Sequence, residues 1–256
     1  MDAVILGSGN VATHLAKALV SAGHRVLQVW SRNLSHAQEL AEKLNSAAIS
    51  SFGQLSAEAD IYILSVSDDA IPELAAAFPF GDKLLVHTSG TTGSEALNER
   101  SSSIGVFYPL QTFSKQRDLD FSVIPIAVEA NSAEAEDLLI ELARSISNKV
   151  VKFDSEQRKA LHVAAVFACN FTNHFYAIAD DLLRENGLNF DLIRPLIAET
   201  SLKAAQFSPF DVQTGPAVRN DELTINKHVK FLEERTELQV LYKLISQNII
   251  NLHQKA

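Results

Sequence analysis

Cysteine is nearly absent: Cys169 is the single one in 256 residues. No intrachain disulfide can form, which fits a reducing cytoplasm. A lone cysteine ending the apolar run Val163 to Cys169 reads as a small core residue rather than a nucleophile. That run and its like are far too short to span a bilayer, so no membrane partner is expected. The opening Met1-Asp2-Ala3-Val4 lacks the basic region of a signal peptide. Basic charge is also in short supply, with 22 Lys and Arg against 31 Asp and Glu and a net charge of −9. Nucleic acid, which demands clustered cations, is therefore not expected as a partner. An anionic small ligand held by a local field remains open. There is no internal repeat and no low-complexity segment.

What is present is ordinary globular composition, 46% hydrophobic and 21% charged. The first half alternates strand and helix patterns: Ala3–Leu6, then Val11–Ala22 closed by Gly23, then Arg25–Trp30, then Ser35–Asn45 with Ser35 as its expected N-cap. Ile61–Val66 is apolar throughout, as a strand covered on both faces should be. Asp69–Phe78 reads as a short helix that Asp68 or Asp69 would cap. Leu84–His87, Ile104–Phe107, Val123–Val128 and Lys149–Phe153 add strands, with a crossover helix over Ser132–Ser147. After Phe153 only helical patterns follow: Ser155–Asn186, Phe190–Phe207, Asp221–Glu233 and Arg235–His253. The expected fold is α/β: a Rossmann doubly wound parallel sheet over residues 1–153, then an all-helical domain over residues 154–256.

The first strand runs into Gly7-Ser8-Gly9-Asn10-Val11-Ala12, a G-x-G-x-x-A turn that opens the first helix. Gly7 permits the tight turn, Gly9 lets a pyrophosphate approach the backbone, and Ala12 lets helix and strand pack closely. The phosphates would meet free N–H groups and the positive helix end. An NAD enzyme would place Asp or Glu at the end of the second strand. Here that strand ends Trp30-Ser31-Arg32-Asn33, and no acidic residue occurs between Gly23 and Glu39. Arg32 can pair a 2′-phosphate, with Ser31 and Asn33 adding hydrogen bonds, so NADP is the expected cofactor. Ser65-Val66-Ser67, His87-Thr88-Ser89-Gly90 and Tyr108-Pro109-Leu110-Gln111-Thr112-Phe113 end later strands, where such sheets hold their ligands. Ser65, Val66, Ser67 and Ser89 are expected beside the cofactor and Pro109 beside a substrate.

The helix after Asp154 carries a polar stripe on an apolar body. At 100° per residue, Lys159, His162, Asn170 and Asn173 fall within roughly 80° of one another. Such a stripe faces a cleft or a polar interface. Hydride transfer to C=O or C=N needs a proton donor. His162 suits that by intrinsic pKa, Lys159 would need burial, and Asn170 and Asn173 could fix the substrate. Arg219, in Thr214-Gly215-Pro216-Ala217-Val218-Arg219-Asn220-Asp221, could bind a carboxylate or phosphate, or brace the loop with Asp221 as helix cap. No metal site is assigned.

Together these segments resemble one family, the Rossmann-like NADP oxidoreductases whose C-terminal helical domain is catalogued as a domain of unknown function. More distantly the layout is similar to pyrroline-5-carboxylate reductases and β-hydroxyacid dehydrogenases. The resemblance implies a homodimer built from the C-terminal helices, with the active site between the domains; it supplies no substrate, and the cofactor loop with the polar stripe is what points to a small carbonyl, imine or hydroxy acid. The dehydrogenases use a Lys and an Asn, to which Lys159 and Asn170 could correspond; His162 departs from that pattern and leaves the proton donor open. Family analogy alone also admits a deazaflavin in the cleft. A non-catalytic NADP-binding sensor or interaction protein is the alternative, since fold does not fix function.

Overall fold

The computed structural model describes residues 1–98 and 100–254. The chain divides into two compact units, Met1–Phe175 and Tyr176–Ala256. The first is an eight-stranded sheet built from β1 (Asp2–Leu6), β2 (Arg25–Trp30), β3 (Ala47–Ile49), β4 (Ile61–Leu64), β5 (Leu84–His87), β6 (Ile104–Pro109), β7 (Ile126–Ala130) and β8 (Val150–Lys152). The order across the sheet is β3-β2-β1-β4-β5-β6-β7-β8. Every pairing is parallel except β6 with β7, which is antiparallel. The chain leaves β1 toward β2 on one side and later returns to place β4 on the other. That reversal makes the crevice at the carboxyl ends of β1 and β4 the natural ligand site.

Helices cover both faces because both faces of the central strands are apolar. Side chains alternate along β1: Ile5 packs with one cluster, Val4 and Leu6 with the other. The first cluster takes Leu15 and Leu19 of α1 (Asn10–Ser21), Leu40 of α2 (Leu34–Leu44) and Leu139 of α4 (Ala133–Ile146). The second takes Ile71 and Ala75 of α3 (Ile71–Ala77).

Several local expectations are corrected. The three-residue strand β3 has too little apolar pattern to stand out in sequence, and it is held by β2. Asn33, not Ser35, caps α2: its Oδ1 accepts from the Ser35 N–H at 3.0 Å. Neither Asp68 nor Asp69 caps a helix; Asp68 instead accepts from the Thr91 hydroxyl at 2.5 Å. Gly23 follows the end of α1 at φ +86 and Gly187 ends the 172–185 helix at φ +68, both as the αL stop expected of glycine.

The helical segment from Ser155 is not one straight α-helix. α5 (Ser155–Ala165) passes into a six-residue π-helix, Val166–Phe171, and then into α6 (Thr172–Glu185). A π turn takes up an extra residue, which rotates everything beyond it by about 100° against a straight α-helix. The angular arithmetic that put Lys159, His162, Asn170 and Asn173 on one stripe therefore fails past Ala165. The apolar side of this segment is also open rather than buried in the single chain: Val163, Phe167 and Phe171 are exposed.

The second unit is held by polar ties among its own helices, which include α7 (Arg194–Gln206), α8 (Glu222–Phe231) and α9 (Thr236–Gln254). Arg235 pairs with Asp181 at 2.9 Å and with Glu185. His228 Nδ1 meets the Tyr242 hydroxyl at 2.7 Å. Asp221 caps α8 as expected, accepting from Thr224 N at 3.1 Å. Leu196, Leu202, Leu223, Phe231, Val240 and Leu244 of these helices are exposed. No helix among the described residues is long and apolar enough to cross a membrane.

Candidate active site

The turn from β1 into α1 forms one wall of a cavity of about 500 Å³. Gly7 has φ +137, a conformation open to glycine, and a Cβ there would stand 2.1 Å from the Ser65 carbonyl oxygen. Its N–H donates to Trp30 O at 2.8 Å, which ties the turn to β2. A Cβ on Gly9 would meet no protein atom within 4 Å. Gly9 is the N-cap of α1 and supplies no side-chain cap, nor does the first turn carry an acidic residue. The first N–H groups of α1 are thus free to take an anion.

Gly7, Ser8, Gly9, Asn10, Val11, Ser31, Arg32, Ser65, Val66, Ser67 and Ser89 all line this cavity. Ala12 does not; it is fully buried beneath the helix. Ser8 Oγ donates to Ser31 Oγ at 3.2 Å, so the ends of β1 and β2 are linked across the wall. Arg32 forms no ion pair among the described residues, whereas the Asn33 side chain is engaged as a cap. Asp68 and Glu73 also reach the wall. The surroundings of an anion here are therefore mixed, and the helix terminus and Arg32 supply the attraction.

A second cavity, of about 660 Å³, adjoins the first. Tyr108, Gln111, Phe113 and His162 line both. Of the proposed catalytic and substrate residues, Pro109 lines the first cavity, Asn170 the second and His162 both. Lys159 and Asn173 are exposed and line neither. Arg219 lies exposed in the turn before α8, within the second unit.

Three contacts that the sequence did not reveal build the junction. Tyr108 Oη lies 2.9 Å from His162 Nδ1. Burial first, then the nearby Asp68 carboxylate, push the Tyr108 pKa up to about 12. His87 is fully buried at the end of β5, and burial lowers its pKa to about 4. Its Nδ1 accepts from Ser89 N at 3.2 Å, so the neutral ring carries its proton on Nε2 and donates to Gly93 O at 3.2 Å. Arg158, 1% exposed, pairs with Glu129 of β7 and donates to Thr92 O at 2.5 Å. Glu129 also accepts from Ser94 and Ser155 hydroxyls, each at 2.9 Å. Asp154 and Gln157 form a capping box under the same helix. The loop after β5 is thus pinned by His87 from below and by α5 from the side. Among the described residues no group of three His, Cys, Asp or Glu side chains gathers as a metal site.

Comparison with known proteins gives the family. Residues 3–90 match the family model described as NADP oxidoreductase, coenzyme F420-dependent. Residues 124–249 match a domain of unknown function, DUF2520. A Bacteroides fragilis crystal structure titled a "putative NADP oxidoreductase" is 44% identical, covers 98% of each chain and superposes with a TM-score of 0.92. The chain belongs to this NADP oxidoreductase family. Two more distant structures share the fold. An Aspergillus terreus reductive aminase in complex with NADPH is 15% identical, with 98% and 93% coverage and a TM-score of 0.74. A Coxiella burnetii pyrroline-5-carboxylate reductase is 17% identical, with 99% and 97% coverage and a TM-score of 0.58. No curated protein sequence matches the chain.

Proposed function

We propose that this oxidoreductase transfers a hydride between NADPH and a small carbonyl, imine or hydroxy-acid substrate held in the second cavity. The observation that carries this is the shared wall: the cavity that begins at the glycine turn and the adjoining cavity meet at Tyr108 and His162. The diphosphate rests on the α1 terminus, and Arg32 with Ser31 takes the 2′-phosphate. In reduction the hydride pair moves from the nicotinamide to the substrate carbon, the π pair moves to oxygen or nitrogen, and protonated His162 delivers the proton there. Asn170, on the same cavity wall, hydrogen-bonds the substrate. No step is assigned to Lys159, Asn173 or Arg219, none of which lines either cavity.

The test is NADPH oxidation against a panel of small ketones and imines, with NADP and hydroxy acids for the reverse reaction. Turnover of at least one member is expected, with the nicotinamide hydrogen recovered on substrate carbon. Arg32→Ala is expected to raise the KM for NADPH by about 10- to 100-fold, the worth of one charge-assisted hydrogen-bonded contact, and to leave NADH kinetics unchanged. An unchanged preference for NADPH in this variant would remove Arg32 from the site. NADPH binding with no turnover across the panel would favour a sensor over an enzyme.

The single cysteine fits a cytoplasmic setting, and the exposed apolar side chains of α7, α8 and α9 support a homodimer formed through this unit. Sedimentation equilibrium should give twice the chain mass, and Leu244→Glu, which sets a charge on that surface, should shift the protein toward monomer. A wild-type monomer at micromolar concentration would rule the dimer out.

A further inference from the structure

The junction of the two cavities holds a contact between residues far apart in the chain. Tyr108 stands on β6, whose six residues are all buried. His162 stands on α5, one turn beyond Arg158, and the Arg158–Glu129 pair seats that helix against β7. The two rings are tilted, with centroids 6.0 Å apart. Gly90 closes the third side. A Cβ at position 90 would lie 2.5 Å from His162 Nδ1 and 2.9 Å from Tyr108 Cζ. A side chain at residue 90 would have to push one of the two rings out of this contact.

We propose that Tyr108 is a positioning residue for proton exchange at His162: its hydroxyl engages Nδ1, so that Nε2 is the nitrogen that gives or takes the substrate proton. This rests on the hydride-transfer reading above. A phenol hydroxyl both donates and accepts. Its oxygen accepts from Nδ1–H both of the imidazolium and of the neutral ring left when Nε2 loses its proton, so the ring keeps its orientation through a proton cycle. The raised Tyr108 pKa keeps the phenol protonated at working pH. With Nδ1–H held by the Tyr108 oxygen, Nε2 is left as the nitrogen that exchanges a proton with the substrate. In reduction the imidazolium loses the Nε2 proton to the atom that received the π pair, and water later restores it.

A double-mutant cycle tests this. Tyr108→Phe is expected to lower kcat by about tenfold, one hydrogen bond's worth, with the Kd for NADPH and the substrate KM held within about twofold. In a His162→Asn background the same change should cost less than about twofold, because Tyr108 acts through His162. Gly90→Ala should reproduce the Tyr108→Phe loss, since it breaks the same contact. Equal losses in both backgrounds, or a loss confined to KM, would overturn the proposal. Histidine 15N NMR reads the contact without turnover. In Tyr108→Phe the Nδ1 resonance of neutral His162 should move from the protonated toward the unprotonated value as the ring reverts to Nε2–H, and an unmoved resonance overturns the proposal. A normal NMR response with no turnover on any substrate would instead count against hydride transfer and leave the Tyr108–His162 contact in place.

Discussion

Gly7→Ala is expected to weaken NADPH binding by about 100-fold or more and to lower stability by several kcal/mol, whereas Gly9→Ala should weaken binding and leave stability within about 0.5 kcal/mol. The two glycines serve different ends. Gly7 sits at φ +137, and an added Cβ would overlap the Ser65 carbonyl at 2.1 Å. Backbone oxygen in a central strand pair cannot step aside cheaply. The substitution must part β1 from β4 or twist the turn, and either moves the α1 amides away from the diphosphate. The unfavourable φ alone costs about 1–3 kcal/mol, and the overlap adds to it. At Gly9 a Cβ meets no protein atom within 4 Å, so the fold accepts it. The methyl stands on the cavity wall where a pyrophosphate must approach the backbone. Thermal melts beside NADPH titrations of the two variants separate these effects. Equal binding by Gly9→Ala and wild type would place the diphosphate elsewhere.

Arg158→Met is expected to destabilise the first unit by about 3–5 kcal/mol, the cost of leaving one partner of a buried ion pair uncompensated. Arg158 is 1% exposed, and the Glu129 side chain opposite is 18% exposed. Removing the guanidinium leaves the carboxylate with only the Ser94 and Ser155 hydroxyls, and strips the Thr92 carbonyl of its donor. Among the described residues Arg158 Nε has no partner even in the intact protein, so the site there is already short of one hydrogen bond. Glu129→Gln removes the charge and keeps an acceptor for the two hydroxyls. Combined with Arg158→Met it should cost less than the sum of the two single changes, by about 0.5–3 kcal/mol. Urea unfolding measures all three variants. A loss under about 1 kcal/mol for Arg158→Met would show that this pair does not seat α5.

The sequence pattern conveyed the sheet well because its strands are short apolar runs between glycine, serine and asparagine turns. The G-x-G-x-x-A turn and the arginine at the end of β2 are legible as parts of one candidate site, since both depend on residues adjacent in the chain, and both line one cavity. Long-range polar contacts are not legible in this way. Tyr108–His162 joins residues 54 apart, and Arg158–Glu129 joins residues 29 apart. No periodicity marks either pair. Arg158 in particular belongs to none of the sequence motifs, and its burial alone distinguishes it. The π-helix is hidden for a different reason: Val166–Phe171 has the composition of an α-helix, and nothing in it marks the extra residue of a π turn. Its consequence falls directly on the expected polar stripe, because Asn170 lies within it and Asn173 beyond it. His162 precedes it and stands at the shared wall of the two cavities.

Titration of the intact protein with NADPH and NADH, followed through nicotinamide fluorescence, bears most directly on the glycine turn as a dinucleotide cradle. Saturable enhancement at micromolar NADPH, with NADH bound at least about tenfold more weakly for want of the 2′-phosphate, is the expected result. Unchanged emission with both, or tighter binding of NADH, would contradict it.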